Sequence, residues 1–230
     1  MNESSSTPLR TIRSFVIREG RFTAAQKKAF DDYWSVYGIE LNNSSPIIAT
    51  DYFKLEQPII LDIGFGSGDS LISLAQQRPD FNFIGVEVYR PGIGATLKKL
   101  ADLKLLNVRV VNADVLELLR NYIQSDFAHG VMVWFPDPWP KKRHHKRRLI
   151  QSEFLCEIAR VMHKDGILHL ASDWYPYIEF MREQVSYVDN LKALHTAVNP
   201  LKLSRPSTRF EQRGLRLGQF PTDLIYQLVK

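Results

Sequence analysis

From Pro58 onward the chain alternates short apolar runs with longer segments of helical period, and this rhythm constrains the fold more than any other feature. The runs at 59–63, 83–88, 108–112, 130–135 and 167–171 are rich in Ile, Val, Leu and Phe. Each precedes a segment whose apolar residues recur every three or four positions, at 70–77, 93–106, 115–123, 149–162 and 175–188. Strands buried on both faces read as continuous apolar runs, and strand–helix alternation builds parallel strands joined by right-handed crossovers. Within 149–162, Ile150, Phe154, Leu155, Ile158, Val161 and Met162 form one buried stripe, and 164–166 stops it, with Gly166 free to take positive φ. The last two runs, 192–198 and 223–229, have no long helix between them and predict an antiparallel pair at a sheet edge. The expectation is one α/β domain over 46–230, a doubly wound, mostly parallel sheet with an antiparallel edge strand. Ahead of it, 1–45 reads as a tail to Pro8 and an extension with a short helix near 23–37.

A chain of 230 residues, 44% of them hydrophobic, is long enough for one core. No segment reaches the ~18–20 consecutive apolar residues of a membrane span, and the Ser-rich start has no apolar stretch after it, so a cytoplasmic protein with no membrane partner is expected. The single cysteine, Cys156, cannot close an intramolecular disulfide and lies in a helical pattern, so it receives no role.

The segment Asp62-Ile63-Gly64-Phe65-Gly66-Ser67-Gly68-Asp69 closes the first strand and opens a helix. Glycines at 64, 66 and 68 let backbone turn sharply and approach a ligand closely. A dinucleotide site wants glycine at the sixth position from Gly64, where this chain has Asp69, a carboxylate that would face a pyrophosphate. A ligand without phosphate but with a sulfonium and an ammonium suits Asp62 and Asp69 better, and S-adenosyl-L-methionine (SAM) is of that kind. Glu87, ending the second strand, is suited to accept from two ribose hydroxyls, and Asp114, ending the third, from an adenine amino group. Carboxylates at such junctions are also ordinary helix caps. Three at successive strand ends beside a glycine loop favour a ligand edge.

After the fourth strand comes Phe135-Pro136-Asp137-Pro138-Trp139-Pro140, whose prolines fix φ and present Asp137 rigidly, with Trp139 a candidate to stack on a base. The net charge of +5 is concentrated just beyond it. Lys141, Lys142, Arg143, Lys146, Arg147 and Arg148, interrupted by His144 and His145, place six cations in eight residues, with Arg13, Arg18 and Arg21 as possible helpers. Such a run suits a polyanion, because each neutralised phosphate releases counterions. The adjacent histidines lack a metal-ligand partner set, so they are read with the phosphate-facing loop and no metal is expected.

Several segments together resemble the bacterial tRNA (guanine-N7-)-methyltransferases: Gly64-Phe65-Gly66-Ser67-Gly68, the proline loop with the basic run, Ser172-Asp173-Trp174, Thr208-Arg209-Phe210-Glu211-Gln212-Arg213-Gly214, and upstream the stretch 14–21. The resemblance runs from about Arg13 to the end of the chain. It implies a Rossmann-like class I methyltransferase fold, SAM as cofactor, and transfer of its methyl group to N7 of a guanosine in the variable loop of tRNA. It implies further that Asp62, Glu87, Asp114 and Asp137 line the SAM pocket, that Asp137 is the catalytic position, and that Lys141, Asp173, Thr208, Arg209, Phe210 and Glu211 contact tRNA. Many relatives carry Glu at the position of Asp62, a longer reach with the same charge. Read on its own, 208–211 supplies a hydroxyl, a phosphate fork, an aromatic face and an acceptor, or else a solvated loop. Asp173 read alone is the N-cap of the helix near Tyr175. The alternatives are a SAM-dependent enzyme acting on another RNA, a protein or a small molecule, and a non-catalytic RNA-binding module. A monomer or weak homodimer is expected.

Overall fold

A computed structural model describes residues 22–42, 45–194, 199–203, 205, 206, 211, 218 and 220–230. The early basic residues Arg13, Arg18 and Arg21, and the expected contacts Thr208, Arg209 and Phe210, lie outside these. The elements in chain order are α1 (Ala24–Tyr37), α2 (Ala49–Tyr52), β1 (Ile59–Ile63), α3 (Asp69–Gln77), β2 (Asn82–Glu87), α4 (Arg90–Leu103), β3 (Val108–Asn112), α5 (Val115–Tyr122), β4 (Ala128–Trp134), a 3-10 turn (Lys142–Arg147), α6 (Ser152–Val161), β5 (Met162–Ser172), α7 (Tyr175–Ser186), β6 (Leu191–Ala193) and β7 (Thr222–Leu228).

The seven strands form one sheet in the order β3-β2-β1-β4-β5-β7-β6. Strands β1 to β5 run parallel, while β7 pairs antiparallel with both β5 and β6. An antiparallel edge pair is therefore present, its outer strand being Leu191–Ala193 where 192–198 was expected, with 195–198 outside the described residues, and β7 is the strand joined to the parallel set. Alternate residues go to opposite faces, as the pleat requires. Ile60, Phe83, Val110 and Met132 pack with Leu71, Leu74, Leu97 and Leu100 of α3 and α4. Leu61, Ile84, Val111 and Val131 pack with Leu118, Phe154, Ile158 and Tyr177 of α5, α6 and α7. This is a three-layer doubly wound fold, and its topological switch point falls between β1 and β4.

The N-terminal extension is tied into the same core. A capping box, in which Thr23 Oγ1 accepts from Gln26 N at 3.2 Å and Gln26 Oε1 accepts from Thr23 N at 3.0 Å, starts α1. The helix lies on α4, whose Gly94 leaves no room for a side chain: a Cβ there would stand 2.5 Å from the Gln26 carbonyl oxygen. Gly38 then bridges to Val110, and Ile39 is buried.

One local expectation fails. The helical pattern of 149–162 is a helix only over Ser152–Val161, and β5 begins at once at Met162. Asp165, at φ 63°, takes the left-handed conformation expected of Gly166. Gly166 instead fits a tight strand, since a Cβ on it would lie 2.8 Å from the His163 carbonyl oxygen.

Candidate active site

The turn after β1 carries Gly64, Gly66 and Gly68 at φ of +77°, +59° and +74°, left-handed values that side chains disfavour. Around Gly64 and Gly66 a Cβ would meet nothing within 4 Å, so their backbone borders open space; at Gly68 it would stand 2.3 Å from Thr96 Oγ1. The first two glycines keep room for a ligand, and the third lets the loop pack on α4. Glu87, at the end of the neighbouring β2, ties the loop down: its Oε2 accepts from Gly66 N at 2.9 Å, and its Oε1 from Val88 N at 2.7 Å and Tyr89 N at 3.0 Å. An ionised carboxylate has about four acceptor sites, so these bonds leave capacity for a further donor.

Asp62 is the charged residue of an otherwise apolar, fully buried β1. Its Oδ2 is buried and has no hydrogen-bond partner among the described residues. Burial first, and then the like charge of Glu87, push its carboxyl up from 3.8 to about 7. A buried acceptor left open is costly unless something supplies a donor. Beside open backbone at Gly64 and Gly66, that open acceptor fits SAM, which carries cationic and hydroxyl donors and no phosphate. Asp69 does not share this role. Lys99 of α4 pairs with it and also donates to the Ser67 carbonyl at 2.9 Å, so the acidic character facing a ligand rests on Asp62 and Glu87.

Asp114 follows β3 and serves as the N-cap of α5, its Oδ1 accepting from Leu116 N at 2.9 Å and Glu117 N at 3.3 Å. The capping use is real, and it engages one of the two oxygens. The carboxylate still stands at the same sheet edge as Glu87.

Across the switch point, β1 and β4 are hydrogen-bonded neighbours, with Asp62 opposite Met132. The glycine turn and the loop after Trp134 therefore leave the sheet side by side. Phe135 N donates to the Ala171 carbonyl at 2.8 Å, and Phe135 and Trp139 sit at φ 54° and 45°, left-handed values for bulky residues. Between them Asp137 is exposed. Trp139 is half-buried, with the Arg147 guanidinium 5.2 Å from its ring centre and the His144 ring edge-on at 5.7 Å. Lys141 is the N-cap of the 3-10 turn Lys142–Arg147. Lys141, Lys142, Arg143 and Lys146 are exposed, and His144, His145 and Arg147 partly so. Desolvation, followed by the repulsion of Arg143, Arg147, Lys141 and Lys146, lowers the pKa of His144.

Arg148 departs from the expected phosphate-facing run. It is only 3% exposed, its Nε donates to the Pro138 carbonyl at 2.9 Å, and its guanidinium lies over the rings of Tyr177 and Phe180 on α7. A cation enclosed in this way cannot reach a phosphate without leaving its site. The assignment of Arg148 to the RNA surface is therefore corrected.

Asp173 follows β5, next to the proline loop. It does not cap α7, whose N-cap is Trp174 with no side-chain capping bond. Glu211 joins a partly buried polar chain that sequence reasoning missed. Arg205 forms a bidentate pair with it at 2.7 and 3.1 Å and bonds Asp223 of β7 at 2.8 Å. Asp223 in turn meets His169 Nε2 at 2.8 Å, and Arg205 lies 5.1 Å from the Phe135 ring centre. Asp223 is drawn far below the usual carboxylate range by hydrogen bonds from His169 and Arg205, which outweigh its partial burial. Arg205 and Glu211 are thus moored to the sheet beside the proline loop. No periodicity marks Arg205, and its only signal is a charged residue ahead of Pro206.

Comparison with known proteins returns the same picture. Residues 56–224 match the family model described as "Putative methyltransferase". Curated proteins of Cronobacter sakazakii and Escherichia coli, each called tRNA (guanine-N(7)-)-methyltransferase, are 42% identical over 99% of this chain and 96% of their own length. Among solved structures, the 16S rRNA methyltransferase KamB superposes with a TM-score of 0.59 at 16% identity, covering 79% of this chain and 93% of that one. An antibiotic-related methyltransferase gives 0.54 at 17% identity, over 84% of this chain and all of the other. At such identities these two speak for the fold alone.

Proposed function

The chain belongs to the family of tRNA (guanine-N7-)-methyltransferases, and from that membership and the geometry of its sheet edge we propose how it acts. It transfers the methyl group of SAM to N7 of a guanosine in tRNA, the variable loop being the region that supplies the base. The observation that carries the reading is the adjacency of β1 and β4, by which the glycine turn, with the open acceptor of Asp62, and the Asp137 loop leave the same edge of the sheet, the basic run following that loop in sequence.

SAM brings a methyl group on a sulfonium, and its transfer leaves a neutral thioether. Guanine N7 offers an in-plane lone pair and carries no proton at neutral pH, so the attack needs no general base. The rate then comes from alignment and charge placement. In this reading Asp62, Glu87 and Asp114 hold the donor, with backbone at Gly64, Gly66 and Gly68 close against it. Asp137 accepts from the guanine N1–H and amino group and fixes the ring for attack. Lys141, Arg143, Lys146 and Arg147, with His144 and His145, carry the phosphate backbone, while Asp173, Thr208, Arg209, Phe210 and Glu211 complete the tRNA contact. The base must be unpaired or extruded to reach this position. No helix among the described residues is long and apolar enough to cross a membrane. A cytoplasmic enzyme, active as a monomer or weak homodimer, is the form proposed.

The test is chemical. Purified protein is incubated with labelled SAM and unmodified tRNA, and the RNA is cleaved with borohydride and aniline, which cut at 7-methylguanosine. Cleavage at one variable-loop guanosine is expected. Label that is incorporated elsewhere, or incorporated without cleavage, contradicts the reading.

A further inference from the structure

The basic run divides into two kinds of cation. Lys141, Lys142, Arg143 and Lys146 stand in solvent, whereas Arg148, at the end of the same run, is more deeply enclosed than any other cation of the stretch. Its guanidinium makes two hydrogen bonds and two ring contacts. Nε donates to the Pro138 carbonyl, one residue past Asp137, at 2.9 Å, and a terminal nitrogen meets His145 Nε2 at 3.1 Å. Arginine has no acceptor, so His145 Nε2 is the accepting atom. The planar face lies 4.7 Å from the ring centre of Phe180 and 5.0 Å from that of Tyr177, both on α7. Tyr177 is itself immobilised, fully buried, with its hydroxyl accepting from Ile150 N at 3.3 Å. Burial, partly offset by Tyr177, lowers the pKa of Arg148, in keeping with the desolvation this position costs.

Such a cation is retained where its geometry is used. Phe135 and Trp139 hold left-handed backbone, a conformation that at a non-glycine residue persists only where surroundings over-determine it. Resting on the reading of Asp137 given above, we propose that Arg148 is a positioning residue: it pins the Pro138 carbonyl to the aromatic face of α7 and so sets where Asp137 meets the base. It acts on the turnover step and touches neither RNA nor SAM. Lysine does not replace it, because an ammonium lacks the flat face that lies over the rings and the fork that serves Pro138 and His145 together.

The experiment compares Arg148→Lys with Lys146→Ala, measuring methyl transfer to unmodified tRNA across a salt series and SAM binding by calorimetry. Arg148→Lys is expected to lose about 10- to 100-fold in kcat, the scale of a misplacement near 1 Å, with SAM affinity and the salt dependence of tRNA binding unchanged. Lys146→Ala, a change within the phosphate-binding run itself, is expected to raise KM for tRNA and flatten the salt slope. Wild-type kcat in Arg148→Lys, or a flattened slope with kcat intact, overturns the proposal. Should Arg148→Lys not fold, Phe180→Leu removes half of the stack and is expected to lower kcat several-fold with KM unchanged; an unaltered kcat there overturns the proposal. If the wild-type protein itself transfers no methyl group to tRNA, the functional reading fails, and hydrogen exchange decides the clamp separately. Faster exchange at Phe135, Asp137 and Trp139 in either variant supports it, and unchanged exchange refutes it.

Discussion

The two halves of the sheet's carboxyl edge are built by different means. On the β1–β3 side the chain turns on glycines, and its working carboxylates sit on or immediately after the strands, so backbone geometry alone positions them. Glu87 binds the loop it serves through Gly66 N, and Asp114 caps the helix it precedes. On the β4–β7 side the turns use bulky residues at positive φ, and long side chains from distant segments hold them: Arg148 reaches Pro138, and Arg205 reaches Phe135, Asp223 and Glu211. Under the proposed function, short rigid fixtures would serve a donor of constant shape, and a loop held through side-chain clamps would meet the large substrate.

The contrast sharpens first at Asp137, which is exposed and outside both hydrophobic clusters. Asp137→Ala is expected to cut kcat by about 10²- to 10³-fold, the cost of deleting one placed electrostatic group, while the thermal midpoint moves little. A variant that melts early would mean that the loop is structural. Second comes Arg205→Met, which strands the carboxylates of Glu211 and Asp223. With Arg205 mostly buried and Asp223 about one-third exposed, a loss of about 2 kcal/mol in urea unfolding is expected, together with weaker tRNA binding. Intact SAM binding in that variant would keep the two halves separate, and its loss would join them.

The third prediction breaks the symmetry through pH. Because folding raises the Asp62 carboxyl to about 7, the folded protein holds a proton that the unfolded chain releases near pH 4. The stability of the cofactor-free protein should therefore fall as pH rises from about 4 to 7, and Asp62→Asn should flatten that slope. SAM affinity should rise across pH 7 as the carboxylate becomes available, and in Asp62→Asn it should drop by about tenfold and lose this rise. Calorimetry from about pH 4 to 8.5 measures both. The smallest effect is that of Lys141→Ala with Lys146→Ala, which should change the slope of log K against log salt by about 1–2 and leave kcat alone.

The same contrast explains what the sequence revealed. The glycine side was readable because its requirements fall on residue types at fixed spacing: positive φ calls for Gly64, Gly66 and Gly68, and strand ends call for Asp62, Glu87 and Asp114. The mostly parallel sheet with its antiparallel edge followed from apolar runs that alternate with segments of helical period. The clamp side was legible only as proline and charge. Nothing in a run of six cations distinguishes Arg148, which turns inward onto Tyr177 and Phe180, from Arg147, which lies over Trp139. Nor can local pattern announce Arg205, whose partners Glu211, Asp223 and Phe135 are joined only by the fold. Asp69 misled for a related reason: its neutralising partner Lys99 is thirty residues away on α4.

The claim beneath all of this is that donor and base meet at the junction of β1 and β4. The most direct measurement is the structure of the protein with S-adenosyl-L-homocysteine and unmodified tRNA bound together. The account predicts a single extruded guanine whose N1–H edge is held by Asp137 and whose N7 points at the sulfur above the Gly64–Gly66 turn, at a distance that leaves room for one methyl group. A guanine bound with N7 turned away from the sulfur, or tRNA seated on the opposite edge of the sheet, would contradict it.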